Sequence, residues 1–225
     1  MFVYELVGEN EDHAAYQMLA VANLARQYDF LRSLVQTSLA LQRPMLGLEE
    51  IKALNYHAIS CLHAHAGEIR PCAVYVTSAE GSVQYEPPAH HRVAALMAIL
   101  VNDINRYWTT LDPVWLAAYV LWRLNWVHPF INGNGRTARV VAYYIICLHA
   151  EAWLPGEMLL PDLLRRDRAE YVQALRLADD ALQATGQVDV SALHQLLERL
   201  LNEQLAPFVP EDEATEAIKP PAIVE

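Results

Sequence analysis

The segment His128-Pro129-Phe130-Ile131-Asn132-Gly133-Asn134-Gly135-Arg136-Thr137-Ala138-Arg139 brings together an imidazole, a run of turn-forming residues and two guanidinium groups. A neutral imidazole near pH 7 can take a proton from a hydroxyl. Asn132, Gly133, Asn134 and Gly135 all tolerate positive φ. Such a run can curl so that successive backbone N–H groups point inward and form an anion-binding nest. The nest opens into a helix predicted to begin near Arg136, whose free N–H groups and dipole also favour an anion. Arg136 and Arg139 are three apart and share a face of the predicted first turn. Cations there oppose the helix dipole, at a cost of roughly 0.3–1 kcal/mol each. A bound polyphosphate reverses that sign, and guanidinium forks suit phosphate oxygens. The competing reading is a surface loop that caps a helix, with its arginines paired to carboxylates elsewhere. The histidine at the loop mouth and the paired arginines favour a site.

The elements that must hold this loop are mostly helical. Asp112 is a good N-cap and Pro113 a good first helical residue, so a helix is predicted over 113–127. It is rich in Trp, Leu, Tyr and Val and should be buried. Pro129 disfavours helical geometry at His128 and ends it there. Apolar spacing predicts further helices over about 11–41, 48–66, 91–108, 136–150, 168–182 and 191–205. Residues 72–77 are β-prone, the turn-like 78–81 follows, and 82–85 can return as the second arm of a hairpin. The expected architecture is all-α: one helical domain over 1–209 with a small β-hairpin flap over 70–86. The tail over 210–225 is rich in Pro and Glu, and disorder is expected there.

Composition narrows the function. A net charge of −11 argues against a nucleic-acid binder held by phosphate contacts. The apolar runs fall short of the roughly 18 residues that a membrane span requires, so no membrane partner is expected. The N-terminus lacks a basic segment followed by an apolar one, so no signal peptide is predicted. Three cysteines are too few and too odd for a disulfide framework, and a cytoplasmic location is expected. Secretion by a signal-less route stays open, and oligomeric state is not assigned.

The loop resembles the Fic family signature, His-x-Phe-x-(Asp/Glu)-Gly-Asn-Gly-Arg-x-x-Arg, at every fixed position but one. Residues 72–85 are similar to the family's flap hairpin, Tyr85-Glu86-Pro87-Pro88 to the end of that flap, and Arg168-Ala169-Glu170-Tyr171 to a motif after the core. The resemblance covers roughly 20–205 and implies a Fic-type helical bundle that transfers AMP from ATP to a Ser, Thr or Tyr hydroxyl of a target protein. By the same resemblance His128 is the general base. Gly133, Asn134 and Gly135 hold the phosphates through backbone N–H groups and the Asn134 side chain. Arg136 and Arg139 hold the β- and γ-phosphates, and Phe130 anchors the loop inward. The flap takes the target segment as an added strand. A lysine marks the kinase-like branch at the position of Gly135, which argues against that chemistry.

Two departures qualify the resemblance. The family's acidic residue, a Mg²⁺ ligand, is Asn132 here, and a neutral amide is a poorer ligand for a hard ion. The alternative is therefore a weak or inactive Fic fold that binds nucleotide or a protein partner. Many members also carry an inhibitory Ser/Thr-x-x-x-Glu helix, and the matching residues 37–43 lack the glutamate, which leaves room for a separate inhibitor protein. Ser82 to Glu86 has the spacing but lies in the hairpin. Elsewhere His57, Cys61 and His65 are four apart, and partly buried helix residues are favoured over a metal site. His90 and His91 are expected at the surface in a helix-entry loop. Tyr171 is expected either near the nucleotide base or in the core, and the tryptophans in the core.

Overall fold

The computed structural model describes residues 1–77 and 82–208. Along the chain come α1 (Val3–Leu6), α2 (Ala14–Ala40), α3 (Leu48–Ile59), β1 (Val76–Thr77), β2 (Val83–Tyr85) and α4 (His90–Tyr107). Then follow α5 (Pro113–Val127), α6 (Asn134–His149), α7 (Leu160–Arg166), α8 (Arg168–Thr185) and α9 (Ser191–Leu205). The expected all-α bundle with a small hairpin is what the chain forms. Among the described residues no helix is long and apolar enough to cross a membrane.

The centre of the bundle is the pair α5 and α6, with α2 and α3 packed on α6 and α9 packed on α5. Leu116 to Trp122 of α5 are all buried, so this helix needs no polar face. The carboxylate of Asp112 caps it by accepting from the Trp115 N–H at 2.8 Å, satisfying a donor left free in the first turn. Trp122 is fully buried, and the other four tryptophans pack partly exposed against the core. Tyr171 joins the core as well, 3% exposed.

Several expected boundaries shift. The second helix stops at Ile59, seven residues short of its expected end, with Ser60 as C-cap. Cys61 and His65 then take positive φ, at 62° and 57°. The proposed face of His57, Cys61 and His65 therefore does not exist. His57 lies against Phe30, and His65 pairs with Glu68 at 2.8 Å. Among the described residues no three metal-ligating side chains come together. The hairpin is shorter than expected: Val76 pairs with Tyr85 and Thr77 with Val83, while 72–75 form no strand. Its predicted turn over 78–81 lies outside the described residues, as does the tail over 210–225. His90 opens α4 rather than sitting in a loop before it. Helices α1 and α7, four and seven residues long, are too short to leave a periodic signal.

Candidate active site

His128 is the C-cap of α5, held at φ 51° and ψ 59° with its N–H donating to the Leu124 carbonyl at 3.0 Å. Pro129 forbids the next helical turn, and the left-handed twist at His128 turns the chain off the helix axis. The ring nitrogen Nδ1 lies 3.3 Å from the Asn125 carbonyl. A carbonyl only accepts, so Nδ1 carries the proton and Nε2 keeps the lone pair. Burial lowers the imidazole pKa to about 4, the bond to Asn125 works against that shift, and the nearby Arg70 charge adds to it. The ring is neutral throughout the physiological range, the form that a base requires.

The loop after His128 is closed from within. Phe130 is fully buried, which contributes about 1.5–3 kcal/mol. Its N–H donates to Asn134 Oδ1 at 2.9 Å, and Asn134 Nδ2 donates back to its carbonyl at 2.8 Å. The Asn134 side chain is thus committed to the loop, where the resemblance had placed it on phosphate. Helix α6 begins at Asn134, two residues before its expected start, with Gly133 as N-cap at φ 76°. A Cβ on Gly133 would lie 2.8 Å from Ile59 Cγ2 and 3.0 Å from Asn55 Nδ2, so α3 presses directly on this turn. Gly135 is already helical, and its missing side chain leaves room beside Arg139 Nη1, 3.3 Å from where a Cβ would stand. Arg136 lies in the first turn and Arg139 in the second.

Three residues that sequence reasoning passed over do much of the positioning. Asn55, fully buried, donates through Nδ2 to the Asn132 carbonyl at 2.9 Å and accepts from the Gly67 N–H at 3.0 Å. Arg70 is 2% exposed and donates to the carbonyls of His128 at 2.8 Å, Cys72 at 2.9 Å and Pro88. It joins both feet of the flap to the loop after α5. Asn125 offers its carbonyl to His128 and its side-chain N–H to the Tyr171 hydroxyl at 2.8 Å, and that phenol in turn meets Arg139. The available signal was a polar residue on an otherwise apolar helix face at Asn55 and Asn125. None marked Arg70.

Beside the loop runs a cleft of about 690 Å³ between the N-terminal half of α2, the flap strand β1 and the start of α6. Arg136, Arg139, Arg165 and Arg168 all line it, as do His128 and the backbone of 131–135. None of the four arginines makes an ion pair within 4.0 Å among the described residues. Arg136 instead donates to the Ala58 carbonyl at 3.0 Å and to Asn132 Oδ1 at 3.1 Å. Burial pushes the Arg139 guanidinium below its usual pKa, a cost that an anion would offset. In a chain of net charge −11, four arginines against the two carboxylates of Glu11 and Asp162 leave this cleft with an excess of positive charge. Tyr171 does not border the cleft. Residues 37–43 do not either: Ser38 binds the Tyr144 hydroxyl at 2.7 Å, and its neighbours line a separate depression with Trp108.

The bundle thus sets a glycine-rich loop between two central helices, with a histidine at the mouth of that loop. Residues 46–146 match the model of the Fic/DOC family, so this stretch of the chain is similar to that family. It is 32% identical over 115 residues to the protein adenylyltransferase Fic of Drosophila persimilis, a match covering 51% of this chain and 20% of that protein. To the adenylyltransferase fic-1 of Caenorhabditis briggsae it is 35% identical over 115 residues, again 51% of this chain and 20% of the relative. The chain thus spans about a fifth of the length of these relatives. Among solved structures, Fic-1 from C. elegans superposes with a TM-score of 0.66 at 21% identity, covering 93% of this chain and 55% of the other. A Fic-domain-containing signalling protein from Bacteroides thetaiotaomicron gives 0.64 at 20% identity, covering 91% and 75%. These two likenesses establish the fold.

Mg²⁺ goes with this family, and the donor set at the loop can be tested against it. The ion takes one or two protein oxygens and completes its shell with water and substrate phosphates. Asn132 stands at the position concerned. Its Oδ1 accepts from the Gly133 N–H at 2.6 Å and from Arg136, and its Nδ2 donates to Glu11 Oε1 at 3.0 Å. As placed, the amide nitrogen faces Glu11; with the amide rotated, its oxygen and the Glu11 carboxylate would offer two oxygen ligands that fit such an ion.

Proposed function

We propose that the protein transfers AMP from ATP to a hydroxyl side chain of a target protein. The observation that carries this reading is the convergence of four unpaired arginines and a neutral, oriented histidine on one cleft at the start of α6. The names of the relatives, protein adenylyltransferases, support it. In this reading the backbone N–H groups of Gly133, Asn134 and Gly135 hold the phosphates, with Arg136 and Arg139 on the β- and γ-phosphates. The target segment adds as a strand to the flap edge and brings its hydroxyl to His128. Nε2 takes the hydroxyl proton while the oxygen forms a bond to the α-phosphorus. The bond from that phosphorus to the bridging oxygen breaks, and pyrophosphate leaves. Its growing charge is met by the two guanidinium groups. Asn132 and the phosphate oxygens would hold Mg²⁺, which supplies further charge neutralisation when bound.

With no inhibitory glutamate in 37–43, control by a separate inhibitor protein goes with this reading. A reducing, cytoplasmic compartment suits three cysteines that are all unpaired. The second reading is a Fic fold that binds nucleotide with little or no turnover. It is favoured by the Asn132 carboxamide, whose oxygen occupies the Gly133 N–H and Arg136. Incubating the protein with ATP labelled on the α-phosphate and a lysate separates the two. The expected result is a labelled protein whose mass has risen by one AMP. Nucleotide binding with no covalent label would establish the second reading instead.

A further inference from the structure

We propose that Glu11 and Asn132 together form the divalent-cation site of this cleft, the carboxylate that the loop lacks being supplied by the segment ahead of α2. The inference rests on the nucleotide-transfer reading above. The two residues are 121 positions apart, yet Asn132 Nδ2 donates to Glu11 Oε1 at 3.0 Å.

The placement of Glu11 is fixed from several sides. Helix α1 hangs on the carbonyls of Cys61 and Leu62 through the N–H groups of Val3 and Tyr4, at 3.0 and 3.1 Å. Gln17 Nε2 donates to the Glu11 carbonyl at 2.6 Å. The Tyr16 hydroxyl, bound to His63 Nε2 at 2.8 Å, fixes the first turn of α2 beside it. The carboxylate itself is half exposed, and its one ion-pair neighbour among the described residues is His63 at 3.7 Å. No lysine or arginine claims it.

Adjacent ligands of an octahedral Mg²⁺, each about 2.0–2.1 Å from the ion, stand about 3 Å apart. That is the separation between these two side chains. The carboxamide now turns its nitrogen to Glu11 and its oxygen to the Gly133 N–H and Arg136. Both donors belong to the phosphate cradle, and phosphate oxygens would take them over. Rotation of the amide then presents Oδ1 beside the Glu11 carboxylate. A neutral amide alone is a weak ligand for a hard ion, and one carboxylate makes the pair comparable to the sites Mg²⁺ ordinarily occupies.

The test is ATP binding by calorimetry, in EDTA and in Mg²⁺, for the wild type, Glu11→Gln and Glu11→Gln/Asn132→Asp. Mg²⁺ should tighten ATP binding to the wild type. In Glu11→Gln that enhancement should fall by about tenfold or more, with metal-free binding unchanged or tighter because a negative charge has gone. Adding Asn132→Asp should restore the enhancement. A Glu11→Gln protein that keeps it, a wild type whose ATP affinity ignores Mg²⁺, or a loss that Asn132→Asp does not restore overturns the site and leaves the cradle standing. A wild type that binds ATP in neither condition overturns the nucleotide reading itself.

Discussion

The loop over 128–139 and the flap line the same cleft and are built on opposite terms. In the loop, Phe130 is buried, Asn134 is bonded at both ends, and α3 presses on Gly133 at contact distance. The flap has two strands of two and three residues, an irregular register, and Tyr75 and Val83 more than half exposed. Reaction geometry tolerates little error in position, and the segment proposed to handle phosphate is the over-determined one. A surface that pairs with another chain through backbone groups needs an open edge and accessible side chains. Rigidity and openness are thus divided between two segments of one cleft.

Breaking the loop should have the largest effects. His128→Ala should lower the transfer rate by roughly 10²–10⁴-fold while ATP affinity stays near wild type, as single-turnover labelling and calorimetry would record. Near-normal labelling would remove His128 from its role. Arg136→Ala should weaken ATP binding by about ten- to a hundredfold, through loss of a charge-assisted contact. An unchanged dissociation constant would refute the polyphosphate reading of the cleft. Asn134→Ala removes two buried hydrogen bonds and leaves the Phe130 backbone unpaired, so a destabilisation of about 2–3 kcal/mol should appear in denaturant titration.

Acidity sharpens the same contrast. The His128 pKa is lowered to about 4, mainly by burial, against about 6.5 in the unfolded chain. Between these values the unfolded chain takes up a proton that the folded one refuses, so stability falls as pH drops from about 6.5 towards 4. The base stays neutral over that same interval, and the acidic limb of kcat should lie well below pH 6.5. Arg70→Met removes a charge that depresses the imidazole, so it should move the limb upward. An unmoved limb would show that His128 does not set it. Smallest of all is Val83→Ser in the flap. Stability should change by under about 0.5 kcal/mol and ATP affinity not at all, while labelling of target proteins falls. Equal loss of ATP binding would mean that the flap is part of the cradle.

The helical architecture was legible because α2, α5 and α9 repeat apolar residues over many turns, and because Asp112 and Pro113 announce a start and Pro129 a stop. At the loop, residue types alone suggested that His128, Arg136 and Arg139 share a site, and all three line one cleft. What the sequence concealed are contacts between distant segments. Asn132 and Glu11, Arg70 and Pro88, Tyr28 and Asp162 at 2.9 Å meet only after the bundle closes, and no local pattern encodes them. The helix over 48–66 was overextended because Cys61 and His65 adopt positive φ without being glycine, which spacing does not reveal.

Arg70 has a consequence for how such a protein can change over time. Its guanidinium ties Cys72 and Pro88, the two feet of the flap, to the carbonyl of His128. This tie binds backbone rather than side chains, so it survives replacement of most residues between the feet; Tyr85 is an exception, its hydroxyl donating to the Trp126 carbonyl at 2.6 Å. Under the proposed function, substitution along the strands would change which target segment is bound while His128 keeps its place.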